Sequence, residues 1–78
     1  MSTQPMPACE ALAADPARYM LKAYLGDLMK ASLYEEKSHL ATRMYGYLSG
    51  LLECEAIERE QYRAMTQEIQ DFVWGAAQ

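Results

Sequence analysis

The chain has 78 residues and a formal net charge of −4, with 7 basic and 11 acidic side chains. A chain of this length forms one domain, and its small core supplies a stability margin of only about 3–5 kcal/mol. Tight phosphate binders carry an excess of basic side chains, so the acidic balance argues against direct nucleic-acid binding. No stretch approaches the roughly 20 apolar residues of a membrane span, and we expect no membrane association.

Two cysteines, Cys9 and Cys54, are too few for a disulfide framework, and neither lies in a zinc-binding spacing. The first residues contain no basic region followed by an apolar run, so we expect a cytoplasmic protein with free thiols. Without a disulfide or a metal, self-association is the expected way for a small chain to bury more apolar surface. The sequence therefore favours a homodimer.

The composition favours helices throughout, because strong helix formers dominate and no window alternates between apolar and polar residues with period two. We expect residues 1–6 to form an extended lead and residues 7–78 to form a single helical domain. The sequence contains no internal repeat that would divide this domain.

Two prolines mark helix starts near the N-terminus. Pro7 suits the first turn of a short helix over residues 7–14. Asp15 is a good N-cap and Pro16 fits the first helical position, so a second helix is predicted to begin at Pro16.

Residues 16–53 contain no forced stop, but the apolar stripe changes direction within them. Its first half comprises Ala17, Met20, Leu21, Tyr24, Leu25 and Leu28, and its second half comprises Leu33, Leu40, Met44, Tyr47, Leu48 and Leu51. On a helical wheel the two halves point about 160° apart. We therefore expect a turn or sharp kink at residues 29–32, where Ser32 and Glu35 have the spacing of a capping box. The alternative is one helix of about 38 residues, roughly 57 Å long, which would need a second chain.

The last helix is predicted from an apolar repeat of three and four residues that comprises Tyr62, Met65, Ile69, Phe72 and Ala76. Glu58 and Glu60 suit the positive end of its dipole, Ile57 could pack as a hydrophobic staple, and Gly75 is a plausible terminator. Together the elements predict an all-α fold, either a small helical bundle or a helical hairpin. In it a short N-terminal helix precedes two or three main helices, and the whole is expected to dimerise.

Glu36 and His39 have the Glu-x-x-His spacing of di-iron helical bundles. The chain contains one histidine, so only a dimer could supply two such pairs, and the facing residues 72–74 offer no ligand. No Ser/His/Asp or Cys/His pattern and no glycine-rich phosphate loop is present. We therefore predict no metal, no cofactor, no catalytic residue and no enzymatic activity.

Gly46 and Gly50 are the most unusual feature of the sequence, because two glycines inside a helix cost about 0.8–1 kcal/mol each relative to alanine. They lie on the face opposite the apolar stripe, near His39 and Arg43. Glycines four residues apart let another backbone approach closely, so this face is a candidate contact within the chain or with a partner. The alternative is that the glycines are merely tolerated near a fraying helix end.

The chain also contains six tyrosines, six methionines and one tryptophan, which are residue types enriched at interfaces. Most of them are expected in the core. Tyr45 lies at the edge of the second stripe, and Trp74 either covers one end of the bundle or is an exposed anchor. The predicted partner-binding residues are therefore His39, Arg43, Tyr45, Gly46, Gly50 and Trp74.

These features favour a small protein–protein interaction module that acts as a regulator or inhibitor of a partner protein. The high alanine content fits a bacterial or phage accessory protein, and one concrete form is a phage- or plasmid-encoded inhibitor of a host system. The alternative is a structural helical homo-oligomer or assembly subunit that has no separate target.

Overall fold

The protein is described by a computed structural model that covers residues 5–75. Its helices are α1 (Pro7–Ala13), α2 (Tyr19–Lys30), α3 (Tyr34–Glu53) and α4 (Arg59–Trp74), with a single 3₁₀ turn at Pro16–Arg18 before α2. Residues 5–75 contain no strand. The predicted all-α small bundle is confirmed.

The four helices form a closed ring in which each helix packs against two others. α1 contacts α2, α2 contacts α3, α3 contacts α4, and α4 returns to contact α1. The buried apolar side chains of the core come from all four helices and from two connecting segments; they are Met6, Cys9, Ala13, Leu21, Leu25, Leu28, Ala41, Met44, Leu48, Ile57, Met65 and Ile69. Because the ring closes through α1, this short helix belongs to the core and is not an appendage.

The predicted turn between the second and third helices is confirmed. α2 ends at Lys30 and α3 begins at Tyr34, so the alternative of one continuous helix over residues 16–53 is wrong. The predicted capping box is also wrong, because the N-cap of α3 is Leu33 and no side chain caps this end. The helix begins one residue later than Ser32 requires.

The apolar stripe predicts the buried face of α2 better than that of α3. Leu21, Leu25 and Leu28 are buried as expected, although Met20 is exposed. On α3 the buried residues are Ala41, Met44 and Leu48, whereas Leu40, Tyr47 and Leu51 are only half-buried and Leu33 is 60% exposed. The buried face of α3 is turned toward Ala41 because the helix packs between α2 and α4 and must cover both.

The first two helix starts follow the prolines. Pro7 occupies the first turn of α1, and Asp15 caps the next segment by accepting the Ala17 N–H at 2.9 Å. The segment that begins at Pro16 is a 3₁₀ turn, so α2 itself starts three residues later than predicted. Met6 of the predicted extended lead is fully buried against the core; residues 1–4 of that lead lie outside the described residues.

The ends of α4 are defined by its flanking residues. Glu58 and Gln61 form a reciprocal capping box at the start of α4. From the sequence, Glu58 was expected only to supply a favourable negative charge at this end of the helix. Gly75 ends the helix at φ 77°, a conformation that favours glycine, as predicted. The turn before α4 places Glu55 at φ 64°, in the left-handed region that residues other than glycine rarely adopt. Ala76, predicted to extend the stripe, lies outside the described residues.

Candidate functional site

A groove of about 530 Å³ runs between α3 and α4 on the surface of the bundle. We call it the aromatic groove, and its lining residues are Tyr45, Tyr62, Thr66, Gln70 and Trp74. None of these five side chains is charged at neutral pH, although the chain as a whole carries a net charge of −4.

The helical repeat of α4 explains why four of these residues meet in one groove. Tyr62, Thr66, Gln70 and Trp74 are each four residues apart, and residues at this spacing lie above one another on one helix face. They form the edge of α4 that adjoins α3, beside the buried residues Met65 and Ile69. The groove is thus a direct extension of the core to the surface.

Hydrogen bonds across the α3–α4 seam hold the aromatic side chains in place. The Trp74 indole N–H donates to the Tyr34 hydroxyl oxygen. The Ser49 and Tyr62 hydroxyl groups form a second hydrogen bond of 3.1 Å. Tyr34 is nevertheless 58% exposed and Trp74 38% exposed, so large aromatic surface remains in contact with solvent after the indole N–H has found an acceptor.

Partial burial keeps the Tyr45 phenol neutral by raising its pKa above its ordinary value of 10.0, and the neighbouring Tyr62 raises this pKa further. Two cations, Arg59 and Arg63, continue the same stripe of α4 toward its N-terminus, and both residues are exposed. The stripe therefore runs from the cation Arg59 to the aromatic Trp74, and neither arginine lines the groove itself.

A second hollow of about 520 Å³ lies between the end of α2 and the start of α3. Its lining residues are Asp27, Lys30, Ala31, Glu35, Glu36, His39 and Leu40. The hollow brings Glu36 and His39 together, as their spacing predicts. No group of three or more His, Cys, Asp or Glu side chains within residues 5–75 is arranged to hold a metal ion.

Gly46 and Gly50 lie on the exposed side of α3, together with His39 and Arg43; we call this the outer face of α3. A Cβ atom added at either glycine would meet nothing within 4 Å. No other segment of residues 5–75 therefore packs against the notch, and a close contact within the chain is excluded there. Its role as a contact with a partner stays a prediction.

The structure divides the six predicted partner-binding residues between surfaces. Tyr45 and Trp74 share the aromatic groove, while His39, Arg43 and the two glycines lie on the outer face of α3, where His39 also borders the second hollow. Sequence reasoning missed Tyr62, Thr66 and Gln70. Their four-residue spacing up to Trp74 was the available signal, but Tyr62 had been assigned to the core.

The opposite edge of α4 packs against α1. The Glu68 carboxylate accepts the Ala8 N–H at 2.8 Å and the Cys9 N–H at 3.0 Å, so it caps the first turn of α1 from sixty residues away. The Cys9 thiol donates to the Met65 carbonyl oxygen at 3.7 Å. Burial raises the pKa of Cys9 to about 12, and Glu68 and Glu10 add to this rise by hydrogen bonding and charge repulsion. We call this arrangement the Glu68 clamp.

Scans against protein-family models, curated proteins and solved structures found no match to this chain. Within residues 5–75, none of the helices is both long and apolar enough to span a membrane.

Proposed function

We propose that this protein is a small protein–protein interaction module that regulates or inhibits a partner protein through the aromatic groove. The observation that carries the proposal is the convergence of Trp74, Tyr45 and Tyr62 on one open groove, with the exposed Tyr34 hydrogen-bonded to Trp74.

Aromatic residues of this kind supply most of the binding energy at protein interfaces. Trp and Tyr offer large rigid surfaces whose ordering costs little side-chain entropy, and they dominate the residues whose truncation weakens binding. The Trp74 indole N–H already donates to the Tyr34 hydroxyl oxygen, so a partner could cover the indole ring without leaving this N–H unpaired.

A cytoplasmic location is part of this proposal. Both cysteines are free, with Cys9 buried and Cys54 exposed, as suits a reducing compartment.

The second candidate function is a structural homo-oligomer without a separate target. It is favoured by the number of large apolar side chains that the monomer leaves exposed, namely Tyr19, Met20, Met29, Leu33, Tyr34 and Trp74. A small core gains stability when such surface is buried against another copy.

The test of the proposed function uses three immobilised chains: the unmodified protein, Trp74→Ala and the control Lys22→Ala. Lys22 is exposed on α2, does not line the groove and does not belong to the predicted partner-binding residues. Proteins captured from a native lysate of the source cells are quantified by mass spectrometry, and each captured protein is then purified and titrated against the three chains.

A regulator of the proposed kind binds a defined protein with the unmodified and Lys22→Ala chains, and its affinity falls at least about tenfold with Trp74→Ala. Equal binding by all three chains would contradict the groove as the binding site. Recovery of the chain itself alone would favour the structural homo-oligomer.

A further inference from the structure

We propose that the aromatic groove is closed by the same groove of a second copy of this chain, in a twofold-symmetric dimer with antiparallel α4 helices. In this dimer Arg59 of each copy lies over Trp74 and Tyr34 of the other. The inference rests on the proposed role of the groove as a protein-binding surface and adds its occupant. A separate partner would have to displace the second copy.

The order of residues along α4 supports a self-complementary contact. Arg59, Arg63, Thr66, Gln70 and Trp74 are spaced by three or four residues and therefore lie on one face of the helix. Arg59 and Trp74 mark the two ends of this face, about 22 Å apart at 1.5 Å per residue, and Thr66 lies near its midpoint. A twofold axis perpendicular to the groove at Thr66 superimposes each end on the opposite end of the partner.

This superposition pairs unlike groups. The guanidinium group of Arg59 meets the aromatic pair of Trp74 and Tyr34, whose ring faces attract cations. The alternative twofold axis, parallel to the helices, would place Arg59 against Arg59 and Arg63 against Arg63. Electrostatic repulsion therefore selects the antiparallel arrangement.

The charge distribution allows two acidic chains to approach at this surface. Two copies that each carry a net charge of −4 repel each other over most of their surface. The five residues that line the groove carry no carboxylate, and the charges that continue its stripe on α4 are the cations Arg59 and Arg63. The lining of the groove thus contributes no acid-to-acid contact, and the nearest carboxylates along the chain are Glu58 and Glu60 beside Arg59 and Glu35 beside Tyr34.

A dimer contact of standard size would cover a modest part of the surface. A standard interface buries about 800 Å² on each partner, which is about 15% of the 5303 Å² accessible surface of one copy.

The experiment measures the dissociation constant of the dimer by sedimentation equilibrium from about 1 to 300 μM chain, because dimer formation depends on concentration. The variants are Arg59→Glu and Trp74→Ala, with Lys22→Glu on α2 as the charge-reversal control away from the groove. All three changed residues are exposed, and circular dichroism verifies that each variant keeps its helical content.

The proposal expects the unmodified chain to reach twice its mass of 8.9 kDa within this range. Arg59→Glu and Trp74→Ala should each raise the dissociation constant at least about tenfold, and Lys22→Glu should leave it within about twofold. An unmodified chain that stays monomeric would overturn the dimer, but groove-dependent binding of a separate protein would still support the proposed function. A dimer that Arg59→Glu leaves intact would overturn the antiparallel groove contact.

Discussion

The two edges of α4 pack against different helices and differ in how much of their side-chain surface is left exposed. On the α1 edge, the Glu68 carboxylate accepts two backbone N–H groups and the Met65 carbonyl oxygen accepts the thiol of Cys9, so these three donors have partners inside the bundle. On the α3 edge, the Trp74 indole N–H donates to the Tyr34 hydroxyl oxygen, yet both rings stay in contact with solvent.

This difference suggests that the α1 edge of α4 serves the stability of the fold and that the α3 edge serves binding. The α1 edge encloses buried groups whose loss would expose unsatisfied donors, so changes there should destabilise the fold. The α3 edge exposes aromatic area that the monomer does not need to bury, so changes there should weaken association and leave folding largely intact.

The largest effect on the free energy of unfolding is expected from ionising Cys9 on the α1 edge of α4. Its folded-state pKa of about 12 lies above the ordinary value of 9.0, so the unfolded chain releases this proton at lower pH than the folded chain. The stabilisation is therefore complete below pH 9 and is lost as pH rises through the folded pKa. Chemical denaturation from pH 8 to 12 should show a steep loss of unfolding free energy. Cys9→Ala should flatten the dependence of the unfolding free energy on pH. The control Cys54→Ala, at an exposed thiol, should leave this dependence steep. Equal pH dependence in all three chains would contradict this role of Cys9.

The second effect concerns the Glu68 clamp. Glu68→Ala removes the acceptor of two N–H groups at the start of α1 and should lower the free energy of unfolding by about 2–3 kcal/mol. The control Glu53→Gln, at an exposed carboxylate in the last turn of α3, should change it by less than about 0.5 kcal/mol. Urea denaturation of both variants measures the difference. A Glu68→Ala chain as stable as the control would show that the clamp does not hold α1.

The third effect concerns Trp74 on the α3 edge of α4. Trp74→Ala should weaken association through the groove by about 2 kcal/mol, or roughly 30-fold, because truncation of an interface tryptophan is among the most costly changes. The free energy of unfolding of the monomer should fall by about 1–2 kcal/mol, less than a fully buried tryptophan would cost, since the side chain is 38% exposed. Sedimentation and urea denaturation measure the two quantities. A large loss of stability with unchanged association would mean that Trp74 is a structural cover of the bundle end.

The smallest effect is expected on the outer face of α3. Gly46→Ala and Gly50→Ala should each stabilise the monomer by about 0.5–1 kcal/mol, because the added methyl group meets no atom within 4 Å and alanine favours the helix. Thermal denaturation measures this gain. Unchanged association of the double variant is the expected result for a groove dimer. Weaker association would instead place a contact at the notch, as the sequence alone suggested.

The sequence predicted the elements of the fold from local signals. Pro7, Asp15, Pro16 and Gly75 marked helix ends correctly to within a few residues because each acts on its own backbone. The change in stripe direction predicted the turn between α2 and α3, because one straight helix would have buried opposite faces at its two ends.

Features that depend on distant partners were missed. Glu68 caps α1 across sixty residues and Tyr34 meets Trp74 across forty, and no local pattern encodes such pairs. The buried face of α3 was misjudged because its two neighbours together decide which side is covered. The same limit explains the site: Tyr45 and Trp74 were identified as interface residues, but the groove that joins them arises only when α3 and α4 pack.

The fluorescence of Trp74 tests most directly whether the α3 edge of α4 is an interface, because the chain contains one tryptophan. As the concentration rises over the range from about 1 to 300 μM, burial of the indole in a dimer should shift its emission to shorter wavelength while the mass doubles. Arg59→Glu should abolish the shift in this range. A doubling of mass with constant Trp74 emission would place the interface elsewhere and contradict the account.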